Sequence, residues 1–258
     1  MSDPPSPPAP IALVTGAAIR VGRAIATALT AAGYRVWLHH HRSTAAAQQL
    51  HAALSASTRV TLPPPIAADL LDERARAELA ATVLDPAGPT EGRLDLLVNN
   101  AASFERGPFT SRTDADLRRV LELNLVAPLS LARAFAPALA RRPGSIVNIL
   151  DVAAVHPWPE FLDHCTAKAA LLAATRGLAV ELAPVRVNAV APGTVAWPEG
   201  LDDPLRQRAV VEQIPLGRIG SPADVAQAVL FFADNRHVTG QTLAVDGGRL
   251  AAAGGRRP

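Results

Sequence analysis

Six short runs rich in Val, Ile and Leu, at residues 11–15, 35–38, 94–98, 145–150, 186–190 and 242–245, alternate with longer Ala/Leu/Arg stretches of helical period. Strand and helix alternating in this way predict an α/β fold: one doubly wound parallel sheet with helices on both faces. With 258 residues, 49% of them hydrophobic and 19% charged, the chain is long enough to bury such a core without disulfides or metals. The expected domain runs from 10 to 250, with no internal linker or repeat. A Pro-rich arm at 1–9 and a small-residue tail at 251–258 are expected to be mobile. Sheets of this type bind ligands beyond the carboxyl ends of their strands, where the strand order reverses.

Composition excludes several classes. The net charge is +2 and the arginines are scattered, which gives no footprint for nucleic acid. The first residues lack the basic end and apolar run of a signal peptide, and no run of about 18 uninterrupted apolar residues is present, so no membrane partner is expected. Cys165 is the single cysteine and no Cys/His cluster has zinc-ligand spacing; a reducing, cytoplasmic location without a metal site is expected. Tyr34 is the one tyrosine, and Lys168 is the one lysine among 25 basic residues. A lysine kept in so arginine-rich a chain points to work that needs a compact ammonium of adjustable pKa.

The first run leads into Thr15-Gly16-Ala17-Ala18-Ile19-Arg20-Val21-Gly22 and then an Ala-rich helix. Gly16 permits a tight turn, and small residues let backbone N–H groups at the helix N-terminus approach a pyrophosphate. The second run ends in His39-His40-His41-Arg42-Ser43. An acid here would bind a ribose 2′-OH, whereas a cation accommodates a 2′-phosphate. Arg42 with Ser43 therefore favours NADPH over NADH, unless Arg42 only solvates a loop. The three histidines alternate in direction along a strand and cannot converge on one metal ion.

Over about residues 11–249 these residues resemble the short-chain dehydrogenase/reductase family, and within it the pteridine reductases. The loop reads TGxxxRxG, with Arg20 where the general family has glycine, and the segment from His39 to Ser43 is similar to the NADPH-phosphate segment of that subgroup. Asn99-Asn100-Ala101, Asn124, Pro192-Gly193 and Val245-Asp246-Gly247-Gly248 also match in order and spacing. The resemblance implies a Rossmann-like fold and an NADPH-dependent oxidoreductase acting on a small molecule as a homotetramer. It implies cofactor contacts at Gly16, Arg20, Val21, His39, Arg42, Ser43, Asp69, Leu70, Asn100, Ala101, Lys168, Pro192 and Gly193. Ser103-Phe104 resembles the NNASSF stretch whose Phe stacks on a pterin, and Arg20 would reach an exocyclic oxygen of that ring. A core role for Phe104 is the competing reading. The segment at about 194–215 is similar to the family's substrate loop, where Trp197 either closes over a ligand or packs the loop.

The family's Ser-x12-Tyr-x3-Lys spacing is kept with different residues: Asp151, His164 and Lys168. Asp at the first position fits the pteridine reductases; His at the second departs from them. His164 and Lys168 stand at i and i+4 of a helix expected over 161–182 and share a face. An ordinary imidazole titrates near 6.5 and a phenol near 10, so His is the stronger proton donor and suits reduction better than alcohol oxidation. The catalytic set is thus Asp151, His164 and Lys168, with Asn124. Hydride transfer to a C=N bond of a pterin, a dihydrofolate-like compound or another cyclic imine is expected. A ketone reductase and a dinucleotide-binding protein without turnover are the alternatives. A capping role for Asp151 is weakened by the stretch from Val152 to Pro159 that separates it from the next expected helix, and Cys165 reads as a small buried residue rather than a nucleophile.

Overall fold

The computed structural model describes residues 8–197 and 202–252. Among them the apolar runs form strands β1 (Ile11–Val14), β2 (Arg35–His40), β3 (Ile66–Ala67), β4 (Leu96–Asn99), β5 (Ser145–Ile149), β6 (Arg186–Pro192) and β7 (Thr242–Val245). They build one seven-stranded sheet in the order β3-β2-β1-β4-β5-β6-β7, every neighbouring pair parallel. The doubly wound sheet expected from the alternation is therefore what forms. The order reverses between β1 and β4, where Val14 lies in register with Val98. The ligand crevice opens just beyond that pair.

The helices are α1 (Arg20–Ala31), α2 (Thr44–Ser57), α3 (Glu73–Val83), α4 (Asp114–Leu121), α5 (Ala127–Ala140), α6 (Leu162–Glu181), α7 (Pro204–Val211), α8 (Pro222–Asp234) and α9 (Arg249–Ala252). Successive strand residues point to opposite faces, and the core divides accordingly. Val14, Leu38 and Val98 pack on one side with Ile25, Leu29, Val229 and Phe232 from α1 and α8. Leu13, Trp37, Leu97 and Ile146 pack on the other with Leu79, Leu131, Phe135 and Leu139 from α3 and α5. Each such side chain contributes about 1.5–3 kcal/mol on full burial, so the sheet is a rigid base for whatever its carboxyl edge carries.

The structure corrects several expectations. β3 is two residues at the sheet edge, preceded by prolines 63–65, and no apolar run announces it. Phe161 and Leu182 are the caps of α6 rather than members of it. Ala251 and Ala252 of the expected tail continue α9, while residues 1–7 of the arm and 253–258 of the tail lie outside the described residues. Between α4 and α5 a π-helical turn, Glu122–Val126, carries Asn124 into the interior with no exposed surface. Such wide turns recur at functional sites. The continuous helical stretch Asp114–Ala140 is long and apolar enough by composition to cross a bilayer. Its apolar run is broken by Arg133, and its inner face is the one that packs Leu131, Phe135 and Leu139 on the sheet.

Candidate active site

The loop after β1 is held from below by β4. Thr15 Oγ1 accepts from the N–H groups of Asn100 at 2.9 Å and Ala101 at 3.0 Å. Asn100 Nδ2 donates to the carbonyls of Thr15 at 2.8 Å and Gly16 at 3.1 Å. Asn100 thus serves the loop with its side chain. Gly16 adopts φ +62°, and a Cβ placed on Gly22 would stand 2.0 Å from the Gly16 carbonyl oxygen. The two glycines let α1 start directly against the turn, leaving its first N–H groups for a phosphate. Arg20 holds φ +50°, a left-handed conformation that explains why glycine is common there and that costs a side-chain-bearing residue about 1 kcal/mol. Its Nη2 donates to the Trp197 carbonyl at 3.3 Å, linking the loop to the substrate segment.

His39 is a correction. Expected on the cofactor, it is buried beneath the loop: Nδ1 accepts from the Gly16 N–H at 3.1 Å, and Nε2 donates to the Ala68 carbonyl at 3.1 Å. Burial pushes this imidazole down to about 4, so it is a neutral strut that fixes the turn. Val21 likewise packs its side chain on the core, and Leu70 is buried with its carbonyl taken by Arg76 at 2.6 Å. Neither side chain is turned to a ligand.

A cavity of about 240 Å³ opens beside the loop, lined by Gly16, Ala18, Ile19, His40, His41, Arg42 and Ser43. No lining residue is acidic. Ser43 is the N-cap residue of α2, yet its side chain makes no capping bond; its hydroxyl and the α2 N-terminus have the chemistry to receive an anion there. Asp69 stands across the opening, with Oδ2 3.7 Å from His41 Nε2 and Oδ1 accepting from the Leu71 N–H at 3.0 Å.

Beyond β5 and β6, the three residues of the Ser-Tyr-Lys positions come together. His164 is 3% exposed. Its Nδ1 donates to the Ser103 carbonyl at 3.0 Å, and Asn124 Nδ2 donates to the same oxygen at 3.0 Å. Asn124 Oδ1 accepts from the Ser103 N–H at 2.9 Å, so the π turn holds the Ser103 backbone at both its N–H and its carbonyl. His164 Nε2 stands 3.4 Å from Asp151 Oδ2, a distance that suits an ion pair, but the two are not aligned as a hydrogen bond. Asp151 Oδ1 accepts from the Ala153 N–H at 2.7 Å, capping the 3-10 turn Val152–Ala154. Asp151 is therefore a cap after all, of a short turn the sequence did not reveal, and it still offers its second oxygen to His164. Lys168, one turn along α6, is buried and donates to the Ile149 carbonyl at 2.7 Å. Burial pushes its ammonium down to about 8, against the opposing charge of Asp151.

An aromatic wall borders the imidazole. Phe104, 41% exposed, stacks on Phe161 at 4.3 Å between ring centres and 17° between planes. It meets Trp158 edge-on at 6.1 Å and His164 edge-on at 4.9 Å. One face of Phe104 is thus engaged by Phe161, the N-cap residue of α6, which sequence reasoning missed although it precedes His164 by only three residues. The Ser103 hydroxyl is buried without a partner, so Ser103 contributes to the site through its backbone. Pro192 ends β6 and the Gly193 N–H donates to Val245 at 3.0 Å, which sets that turn beside the crevice. Trp197 is half-buried; Pro198 and Gly200 of the expected substrate loop lie outside the described residues.

A phosphate cradle at a switch point, with a buried imidazole and ammonium beside it, defines a dinucleotide-dependent oxidoreductase. A family model described as enoyl-(acyl carrier protein) reductase matches residues 16–249. Nodulation protein G of Rhizobium sp. (strain N33) is 38% identical over 245 residues, 92% of this chain and 95% of that protein. Pteridine reductase 1 of Leishmania tarentolae is 36% identical over 284 aligned positions, covering 94% of this chain and 97% of that protein. A crystal structure from Sinorhizobium meliloti 1021, of a protein assigned to the short-chain alcohol dehydrogenases, superposes with a TM-score of 0.86 at 30% identity over 94% of this chain and 96% of that one. The chain belongs to the short-chain dehydrogenase/reductase family, whose members use NAD(P)(H).

Proposed function

We propose that the chain is an NADPH-dependent reductase of planar C=N substrates, of the pteridine-reductase kind, in which His164 gives the proton. The observation that carries this is the orientation of the His164 ring. Its Nδ1–H is committed to the Ser103 carbonyl at 3.0 Å, which leaves Nε2, facing Asp151 at 3.4 Å, as the nitrogen that exchanges a proton. Protonated Nε2 is complementary to that carboxylate, and an imidazolium is a stronger acid than the tyrosine it replaces.

The cradle of Gly16 and Gly22, together with the cavity at Arg42 and Ser43, fits an adenine dinucleotide bearing a 2′-phosphate. Bound there, the nicotinamide supplies a hydride. Asp69 and the Leu70 N–H suit the adenine edge, and the Asn100-Ala101 and Pro192-Gly193 turns border the dinucleotide through their backbones. Lys168 keeps two ammonium hydrogens beyond the one given to Ile149, enough for ribose hydroxyls. Asn124 acts on His164 by fixing Ser103. The flat wall of Phe104, together with Arg20 and Trp197, favours a planar heteroaromatic over a flexible chain; stacking of this kind is worth about 1–3 kcal/mol per ring. The likeness to pteridine reductase 1 supports this reading. Residues 10–250 are taken as one reductase domain, active in the cytoplasm as a homotetramer; the exposed apolar Phe231 and Leu243 are consistent with subunit contacts.

Ketone reduction is the second reading, because L-xylulose reductase of Bos taurus is also 36% identical. Steady-state NADPH oxidation with dihydrobiopterin, dihydrofolate, cyclic imines and a ketone panel separates the readings. Turnover of the planar C=N compounds supports the proposal; turnover of ketones alone replaces it, and dinucleotide binding without any turnover overturns both.

A further inference from the structure

Of the arginines drawn into the protein, Arg76 and Arg186 are held by partners in the fold, each with its Nε left unpartnered. Arg76 pairs with Glu122 at 2.7 Å and donates to the Leu70 carbonyl. Arg186 donates to the carbonyls of Phe232, Ala233 and Asn235 at the end of α8. Arg249 differs. Its Nη2 reaches Gln213 Oε1 at 2.6 Å and its Nη1 reaches Thr194 Oγ1 at 3.5 Å, both neutral acceptors. Among the described residues it forms no ion pair. Burial pushes the guanidinium down from its ordinary range, opposed by Asp151 and Asp246. A partly desolvated cation balanced only by carboxylates it does not touch costs stability, and three of its five donors remain unspent.

Its position gives the cation a use. The guanidinium carbon lies 5.0 Å from the centre of the Trp158 ring. Trp158 meets Phe104 edge-on, and Phe104 meets His164, so Arg249 belongs to the wall that holds the proton donor. The Trp158 indole N–H on that wall is also buried without a partner. The dinucleotide's 2′-phosphate already has Arg42 and Ser43 on the other side of the crevice.

We propose that Arg249 receives a carboxylate of the substrate, so that the enzyme prefers planar C=N compounds carrying an acidic group over neutral ones. The proposal rests on the reductase reading of the site. A guanidinium matches a carboxylate in bidentate geometry, and stacking on Trp158 holds its plane.

Titration calorimetry on the NADP⁺-saturated full chain compares folate with biopterin, and 1-pyrroline-2-carboxylate with 1-pyrroline. Within each pair the acid binds more tightly, and this acid-to-neutral ratio falls by about ten- to a hundredfold in Arg249→Met. Arg249→Lys recovers part of it, and added salt reduces it in the wild type. NADP⁺ affinity in the same samples reports whether each variant has folded. An acid preference confined to the pyrroline pair, with neither pteridine bound, removes the pteridine reading and leaves the role of Arg249 intact. Equal affinity for acid and neutral forms, a ratio unchanged in Arg249→Met, or no binding of either acid overturns the inference.

Discussion

The Nδ1–H of His164 donates to the backbone carbonyl of Ser103 at 3.0 Å. A side chain sixty-one residues away in sequence thereby takes its tautomer from the loop that carries Phe104, the expected substrate platform. Asn124 secures the same carbonyl from the π turn. His164 and the loop that carries Phe104 are therefore tied together.

On the proposed reading, cofactor choice rests on the cavity behind β2. Arg42→Ala should raise KM for NADPH about ten- to a hundredfold, the worth of a charge-assisted contact, while altering KM for NADH far less. Steady-state kinetics with both dinucleotides checks this; parallel changes in the two would place the 2′-phosphate elsewhere.

His39 makes the fold acid-sensitive. It is held at about 4 when folded, against 6.5 when unfolded, so the unfolded chain binds more protons as pH falls between those values. About 3 kcal/mol of stability should disappear from pH 6.5 to pH 4, with no contribution from His39 above that window. Protonation of the folded chain, near pH 4, also removes the acceptor of the Gly16 N–H, so NADP⁺ affinity should fall there. His39→Asn, which keeps an acceptor without titrating, should flatten this limb in chemical denaturation across pH.

Lys168 behaves in the opposite direction. Its ammonium is held at about 8 against 10.5, so below pH 8 its burial costs about 3 kcal/mol, recovered as pH rises from 8 to 10.5. Lys168→Met should therefore melt higher at pH 7, with the gain shrinking toward pH 10.5. The same variant should lose most NADPH affinity, and wild-type KM for NADPH should climb above pH 8.

Arg20 carries backbone strain in exchange for its contact with Trp197. Arg20→Gly should stabilise the chain by up to about 1 kcal/mol, or ~2–4 °C in Tm. Loss of the guanidinium should raise KM for the planar substrate. A variant less stable than the wild type would show that the arginine's contacts outweigh its φ of +50°.

How much could be read beforehand follows from what each feature depends on. The long strands and α6 rest on local periodicity and form within two residues of where the pattern puts them, whereas the Asp151, His164, Lys168 spacing was legible only through the family resemblance. β3 was not legible as a run, because two residues at an edge carry no period. The burial of His39 could not be read either: its neighbours Arg42 and Ser43 do line the cavity, and which way a strand residue points depends on the register with β1. The π turn at Asn124, the stacking of Phe161 on Phe104 and the place of Arg249 over Trp158 are tertiary relationships with no local signature.

The central claim is that His164 hands over the proton. It is tested most directly by the pH dependence of kcat, at saturating NADPH and substrate, for the wild type, His164→Phe and His164→Tyr. The wild-type rate should fall as pH rises and the donor loses its proton, and His164→Phe should lose about 10²–10⁴ of kcat. In His164→Tyr the falling limb should move to higher pH. A His164→Phe enzyme with the wild-type rate and the wild-type pH profile would contradict the account.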